Sequence, residues 1–295
     1  MSGRKSKQGS GVLVSKKIAV FVLLMLFVPL GVAYGLHGIA QPFITLPGTS
    51  PQPSTQVTNA TANCVYQLNA PKPGQKVVCI VFDDGWQSQY DYALPVLKSY
   101  GYNASFAIIT GLVGTAWGNS EGLTYMTWSE IVSLADKGYD VESHTYSHPN
   151  LATLNSSELT YQLAQSKQDL ANHGISAPIL VYPDGGGAGN ATVENLVAKY
   201  YVAARGLGSE SLNLAQPFDR YCVPAYSLDS PISIEDFISK VNQANNSTIV
   251  ILCYHKIDYE NVDTALTPQE FTAQMQYLKD NNFTVETLKQ LFTSP

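Results

Sequence analysis

From residue 76 onward, short uninterrupted apolar runs alternate with longer stretches whose apolar positions recur every three to four residues. The runs 76–82 (KVVCIVF), 105–110 (SFAIIT), 140–143, 178–182, 202–205 and 248–254 (TIVILCY) predict strands, most of them apolar on both faces. The stretches 88–99, 156–173, 192–201 and 267–281 carry helical spacing; Tyr92, Leu94, Val96 and Leu97 mark the first. Thr127 and Thr267 each stand three residues before a glutamate, Glu130 and Glu270. In that pattern side chains and backbone N–H groups cap one another at a helix start. The helix opened by Thr127 should end near Lys137 and Gly138.

Repeated strand-helix units predict an α/β fold, a parallel sheet covered by helices, over 71–295. In such sheets chemistry gathers at the C-terminal ends of the strands. Four predicted strand ends carry notable residues: Asp83 with Asp84, His144, Pro183 with Asp184, and His255.

The first seventy residues read differently. A basic tail, 1–17, precedes an uncharged apolar run, 18–36, long enough to span a bilayer as a helix. The run is long for a secretory signal and its one candidate cleavage site, after Gly35, is poor, so a retained anchor is the favoured reading over a cleaved signal. Lys16 and Lys17 then mark the cytoplasmic side. Residues 37–70 form a linker, uncharged from 41 onward and rich in Pro, Ser, Thr, Gln and Asn. The domain is expected on the extracellular face of the membrane, or secreted if the segment is cleaved. Seven N-x-S/T sites, at Asn59, Asn103, Asn155, Asn190, Asn245, Asn246 and Asn282, agree with export when taken together.

Composition narrows the partners. At 45% hydrophobic and 11% aromatic, 295 residues can bury a sizeable core. The net charge of -6 hides five basic residues and no acid in the first forty positions; the remainder holds 12 basic against 23 acidic residues. That balance argues against nucleic acid, which needs clustered Lys and Arg. Four cysteines without a C-x-x-C pair argue against a disulfide framework or a zinc knuckle. Cys79 and Cys253 lie in apolar runs and read as buried thiols.

Asp83 and Asp84 leave the first strand in succession, so their carboxylates point in different directions. One can bind a metal while the other faces a reacting water; a helix cap or solvated turn is the plain alternative. His144 and His148 are spaced so that they can converge on one ion, two surface histidines being the plain alternative, and the stretch lacks the glutamate of a zincin protease. Three of the five histidines end or follow strands; His37 and His173 read as structural. A lone His255 at a strand mouth suits a general acid, or else a packed histidine.

Taken in order, VFDDG (81–85), SHTYSH (143–148), YPDG (182–185) and ILCYH (251–255) resemble the four motifs of the polysaccharide deacetylases with the NodB-homology domain. The resemblance covers roughly 76–290. It implies a distorted (β/α) barrel with fewer than eight strands. It implies Asp83 as catalytic base, Asp84, His144 and His148 as ligands of one divalent ion, with zinc expected, and His255 as catalytic acid. The backbone N–H of Asp184 would face the oxyanion, with Tyr182 and Trp86 as further substrate-side candidates, Trp86 by stacking on a sugar. The Y-P-x-G form is similar to that of exported poly-N-acetylglucosamine deacetylases. The expected activity is removal of N-acetyl groups from an amino-sugar polymer or oligomer, releasing acetate. Another metal-dependent amidohydrolase, an O-acetyl esterase and a non-catalytic carbohydrate-binding barrel are the alternatives.

One departure matters. Many members carry an arginine two residues before the third-motif proline, thought to orient the base, where this chain has Val181. The catalytic region has two arginines, Arg205 and Arg220. Arg220, in FDRYCVPAY, is the preferred substitute by its place in the motif order.

If the address is correct, the full chain should fractionate with membranes and a chain begun near residue 65 should be soluble. Full-length protein in the cytosolic fraction would reject it.

Overall fold

The strand β1 (Val77–Phe82) is buried at every position and occupies the middle of the sheet. After it come α1 (Leu94–Tyr100), β2 (Ser105–Ile108), α2 (Trp128–Asp136), β3 (Asp140–Ser143), α3 (Ser156–Asn172), β4 (Ile179–Val181), α4 (Ala191–Val197) and β5 (Ala203–Arg205). The second part contributes β6 (Leu212–Asn213), β7 (Tyr226–Ser227), α5 (Ile234–Val241), β8 (Thr248–Tyr254), β9 (Lys256–Ile257), β10 (Ala265–Leu266), α6 (Pro268–Asp280), β11 (Thr284–Glu286) and α7 (Leu288–Phe292). This computed structural model describes residues 68–116, 118, 123–229, 232–259 and 264–293. The basic tail, the anchor run, nearly all of the linker, Asn59 and Cys64 lie outside them. Among the described residues no helix is long and apolar enough to cross a membrane.

The sheet runs β5-β4-β3-β2-β1-β8-β6, with β11 pairing β1 and β7 pairing β8. Every pairing is parallel except β6 with β8. This is the distorted, incomplete α/β barrel that the motif resemblance implies: a curled wall of seven strands along the path, with two short ones added. The predicted elements fall within about two residues of those observed, except that the helix expected over 88–99 opens with a wide turn at Gln89–Ala93, and that over 192–201 ends at Val197. Both threonine capping boxes are present.

Alternation along the strands divides the core in two. Val78, Ile80, Phe82, Phe106, Ile108, Val250, Leu252 and Tyr254 pack outward against the helices. Phe82 stacks on Phe106 at 5.0 Å and meets Phe271 of α6 edge-on at 5.7 Å. Truncating such a ring to Ala costs about 3–5 kcal/mol. Val77, Cys79, Val81, Ala107, Ile179, Val181, Ala203, Ile249 and Ile251 face the other way and are plugged from one end by Leu288, Leu291 and Phe292 of α7. Cys79, Cys222 and Cys253 are free thiols, the first and last buried as expected. Asn155 and Asn190 cap α3 and α4 with their side chains, a structural duty that accounts for both without glycosylation.

The plugged end is polar beneath its apolar lining. Asp140 accepts from the Ser105 hydroxyl (2.9 Å) and the Lys289 N–H (3.1 Å), tying β2 and β3 to the start of α7. Glu142, fully buried, accepts from the Ile179 N–H at 2.8 Å and lies within hydrogen-bonding reach of the Asp140 carboxyl. Burial first, and then the charge of Asp140, push the Glu142 carboxyl well above its usual range. The folded chain therefore keeps a proton that the unfolded chain releases near about pH 4.3. The resulting stability is complete below the unfolded value and is lost as pH rises through the folded one. In chelator, the urea midpoint should fall from about pH 5 to pH 8, and Glu142→Gln should flatten that slope and raise stability at the upper end. An unchanged slope in the variant would refute the account.

Candidate active site

The inward parity continues past the strand ends and decides what meets there. Asp83 extends the row of Cys79 and Val81, His144 that of Glu142, and His255 that of Ile251 and Cys253, while Arg205 shares its parity with Ala203. Asp84 breaks from its strand with φ 76°, and Thr145, His148 and Asp184 also have positive φ. Among the described residues, four of the six such non-glycine positions thus lie at the strand mouths, where strained backbone is retained because the packing around it fixes it. Gly85 (φ 83°) completes the first turn; a Cβ there would come within 3.0 Å of Ile108.

Asp84, His144 and His148 converge. The Nε2 atoms of both histidines lie 3.4 Å from Asp84 Oδ1. His144 Nδ1 donates to the Val181 carbonyl at 2.8 Å, which turns Nε2 toward Asp84. That Nε2 is buried without a hydrogen bond. The other Asp84 oxygen accepts from Trp86 Nε1 at 2.7 Å, which fixes the carboxylate's rotation. Burial opposes ionisation of Asp84, but the facing imidazoles, His144 foremost, hold its carboxyl well below the usual range. Burial and the neighbouring His144 lower His148. Two imidazole nitrogens and one carboxylate oxygen aimed at a common point fit a divalent ion with positions left open.

Asp83 stands beside this cluster, its Oδ2 3.9 Å from His144 Nε2. Its Oδ1 accepts from Nη2 of Arg205, a guanidinium with no solvent exposure. Burial would raise the Asp83 carboxyl; Arg205, with His144 and His255, outweighs it and keeps the carboxyl low. The preference for Arg220 is thereby corrected. Arg205 is the register partner of Val181 across β4 and β5, so the cation comes from the adjacent strand at the height where the family motif would place it. Arg220 lines a different recess, with Leu68, Pro217 and Phe292 near the plugged end. Arg205 makes one hydrogen bond to Asp83 rather than a two-pronged fork; Nη1 donates to the Gly206 carbonyl at 3.3 Å.

His255 Nδ1 donates to Asp229 Oδ1 at 2.8 Å. Burial lowers the imidazole's pKa, but Asp229 and then Asp83 and Asp84 more than offset it, leaving it raised. Asp229 has no motif around it; it stands two residues past β7, which runs parallel to β8. Gln89, which no motif marks, is fully buried and donates to the carbonyls of Asp83 (2.5 Å) and His255 (2.8 Å), locking the two mouths together. Asp83, Cys253 and His255 also approach one another, but Asp83 is held by Arg205, and burial keeps the Cys253 thiol protonated, so they make a poor second ion site.

Two further expectations change. Tyr182 has outward parity and no exposure, packed with Leu151, Leu163 and Val197 beneath the helices, so it cannot touch a substrate. Trp86 is 5% exposed, stacked on Tyr125 at 4.4 Å with Lys256 over its ring, and holds Asp84 rather than offering a face to a sugar. Asp184 is exposed on the turn Pro183–Gly185, near enough for its charge to act on His148. His173 caps α3 and stacks on Trp128 at 3.8 Å, a structural role.

A family model described as polysaccharide deacetylase matches residues 70–204. A Bacillus subtilis protein named as a polysaccharide deacetylase, YxkH, is 34% identical over 115 residues, 39% of this chain and 39% of that protein. A chitin deacetylase of Pestalotiopsis is 32% identical over 93 residues, 32% of this chain and 28% of that protein. The matches therefore span about two fifths and just over a quarter of these relatives' lengths. Among solved structures, the Bc1960 peptidoglycan N-acetylglucosamine deacetylase aligns with a TM-score of 0.54 at 18% identity, over 76% of this chain and 92% of that one. A mutant of BA3943, a CE4 family pseudoenzyme, aligns with a TM-score of 0.52 at 16% identity, over 75% and 68%. These two share the fold.

Trp86→Phe keeps the ring but removes the N–H that orients Asp84. Zinc titrated into chelator-stripped protein should bind about 10–100-fold more weakly. Unaltered affinity would remove Trp86 from the site's support.

Proposed function

We propose that this chain, whose residues 70–204 belong to the polysaccharide deacetylase family, removes N-acetyl groups from an amino-sugar polymer or oligomer outside the cell, using one divalent ion, zinc first among candidates. The observation that carries the reading is the juxtaposition of a three-ligand cluster, Asp84, His144 and His148, with a second aspartate, Asp83, held ionised by a buried arginine.

An ion held by that cluster supplies Lewis acidity, which polarises a carbonyl and acidifies water. Asp83, already anionic and fixed by Arg205, accepts the proton of the attacking water. The water oxygen bonds to the acetyl carbon, and the carbon–nitrogen bond breaks. His255, its proton favoured by Asp229, donates to the departing nitrogen, leaving acetate and a free amine. The backbone N–H of Asp184 is the candidate donor to the oxyanion. Base and acid thus flank the reacting carbon, with their pKa values moved apart by different partners.

Acetate release from N-acetylglucosamine oligomers should be lost in chelator and restored by added ion; no release in either condition would refute the activity. Asp83→Asn should keep the ion and lose about 10²-fold or more in turnover. Arg205→Lys retains charge but not reach or planarity. It should lower kcat by at least about tenfold and move the acid limb of the pH profile upward, because Asp83 loses what keeps it ionised. An acid limb that does not move would show that Arg205 only supports the fold.

A further inference from the structure

Both α1 and α6 begin at the mouth of the sheet, since each follows strands that end there, and they pack side by side down the flank. Between them lies an open groove of about 620 Å³, within the range of about 300–1,000 Å³ typical of small-ligand sites. Its upper end is formed by Asp91 and Tyr92, just past the Gln89 that locks the catalytic mouths, and by Tyr259, four residues beyond His255. Tyr259 is 60% exposed and stands edge-on to Tyr92, ring centroids 5.2 Å apart. The lower end is closed by Tyr100, whose hydroxyl donates to the Gln276 amide oxygen at 2.9 Å.

Nothing in the hydrolytic site uses these residues, and a tyrosine as exposed as Tyr259 is not held there by the core. We propose that this groove is an accessory carbohydrate-binding site, which holds a run of pyranose units of the polymer while another unit sits at the ion cluster. The inference rests on the reading of the substrate as an amino-sugar polymer.

The chemistry of the walls selects this occupant. Sugar rings present flat C–H faces edged with hydroxyls, and they match aromatic faces that carry polar rims. Tyr92 and Tyr259 supply such faces and Gln269 a neutral donor and acceptor, while Tyr100, under Lys279, and Gln276, held by Tyr100 and Asp280, close the far end. Among the described residues lining the groove, none is Lys or Arg and Asp91 is the only charged one, which disfavours an anionic ligand. A lipid or an amphipathic helix would want a continuous aliphatic stripe; here the hydroxyls and amides interrupt it. The groove's upper rim adjoins the catalytic loops, so one chain can occupy both places, and the second contact becomes intramolecular.

The test uses the full-length protein with N-acetylglucosamine dimer and hexamer as probes. Tyr259→Ala should leave dimer turnover unchanged and raise the KM for hexamer about five- to tenfold, with kcat preserved; Tyr259→Trp should restore the hexamer KM. Direct titration of hexamer should show the same loss of affinity in Tyr259→Ala and in Gln269→Ala, whether or not acetate is released. Absence of acetate from both probes with tight, Tyr259-dependent hexamer binding would sink the deacetylase reading and keep the groove. Hexamer that fails to bind the unmodified protein, or binds Tyr259→Ala equally well, overturns the accessory site. A change in sedimentation of Tyr259→Ala with unchanged sugar affinity would overturn it in favour of self-association.

Discussion

The contact on which the site depends is the ion pair between Arg205 and Asp83, neither of which has more than a few per cent of its surface in water. Removing two charges from water costs several kcal/mol each, and only close geometry with further hydrogen bonds offsets it. Here β1 and β5 are separated by three strands, so the pair spans the concave side of the curled sheet. The curl brings the two ends within reach, and the pair in turn ties them. Breaking one partner would leave the other buried and uncompensated, which makes this contact costly to lose and fixes Asp83 in both direction and charge.

The ligand cluster solves a different problem. Asp83 and Asp84 are consecutive, yet one must face the arginine and the other the histidines. The left-handed backbone of Asp84 turns its carboxylate out of the strand row, and Trp86, two residues on, binds the oxygen not facing the imidazoles. His148 likewise needs a positive φ to bring its ring beside His144, which the Thr145 hydroxyl supports by accepting the His148 N–H. Strain of this kind, about 1–3 kcal/mol per residue, is sustained by the packing below it.

Much of this was legible. The strands with their parity, the capped helices and the five residues Asp83, Asp84, His144, His148 and His255 followed from period, turn chemistry and the motif resemblance. What was not legible depended on contacts between distant strands. Motif order favours Arg220; strand parity and register favour Arg205, because Arg205 sits inward opposite Val181. The same parity argument turns Tyr182 into the helix layer and was available from the alternation of the run 178–182. Asp229 and Gln89 had no local signature, since each meets His255 across a long separation, 26 and 166 residues. The helix α5 does carry a local signal, Ile234, Phe237, Ile238 and Val241 behind an N-capping Ser233. The short β6, β7, β9 and β10 strands, two residues each, are too brief for any periodicity to mark.

A pseudoenzyme aligns with this chain about as well as a deacetylase does, so the barrel by itself says little about chemistry. What distinguishes a working site is whether a handful of inward strand-end positions carry compatible charges. In this chain four of the five candidates have a partner outside the ligand cluster: Asp83 has Arg205, His255 has Asp229, Asp84 has Trp86, and His144 has the Val181 carbonyl. The case of Val181 shows what is constrained. The residue type at that motif position departs from the family pattern, while the physical requirement, a cation at the height of Val181 facing Asp83, is met from the neighbouring strand. A sequence motif fixes that requirement only indirectly; sheet register fixes it in space. A substitution that moved β5 by one residue against β4 would turn Arg205 to the helix side and leave Asp83 buried alone, with every motif residue still in place.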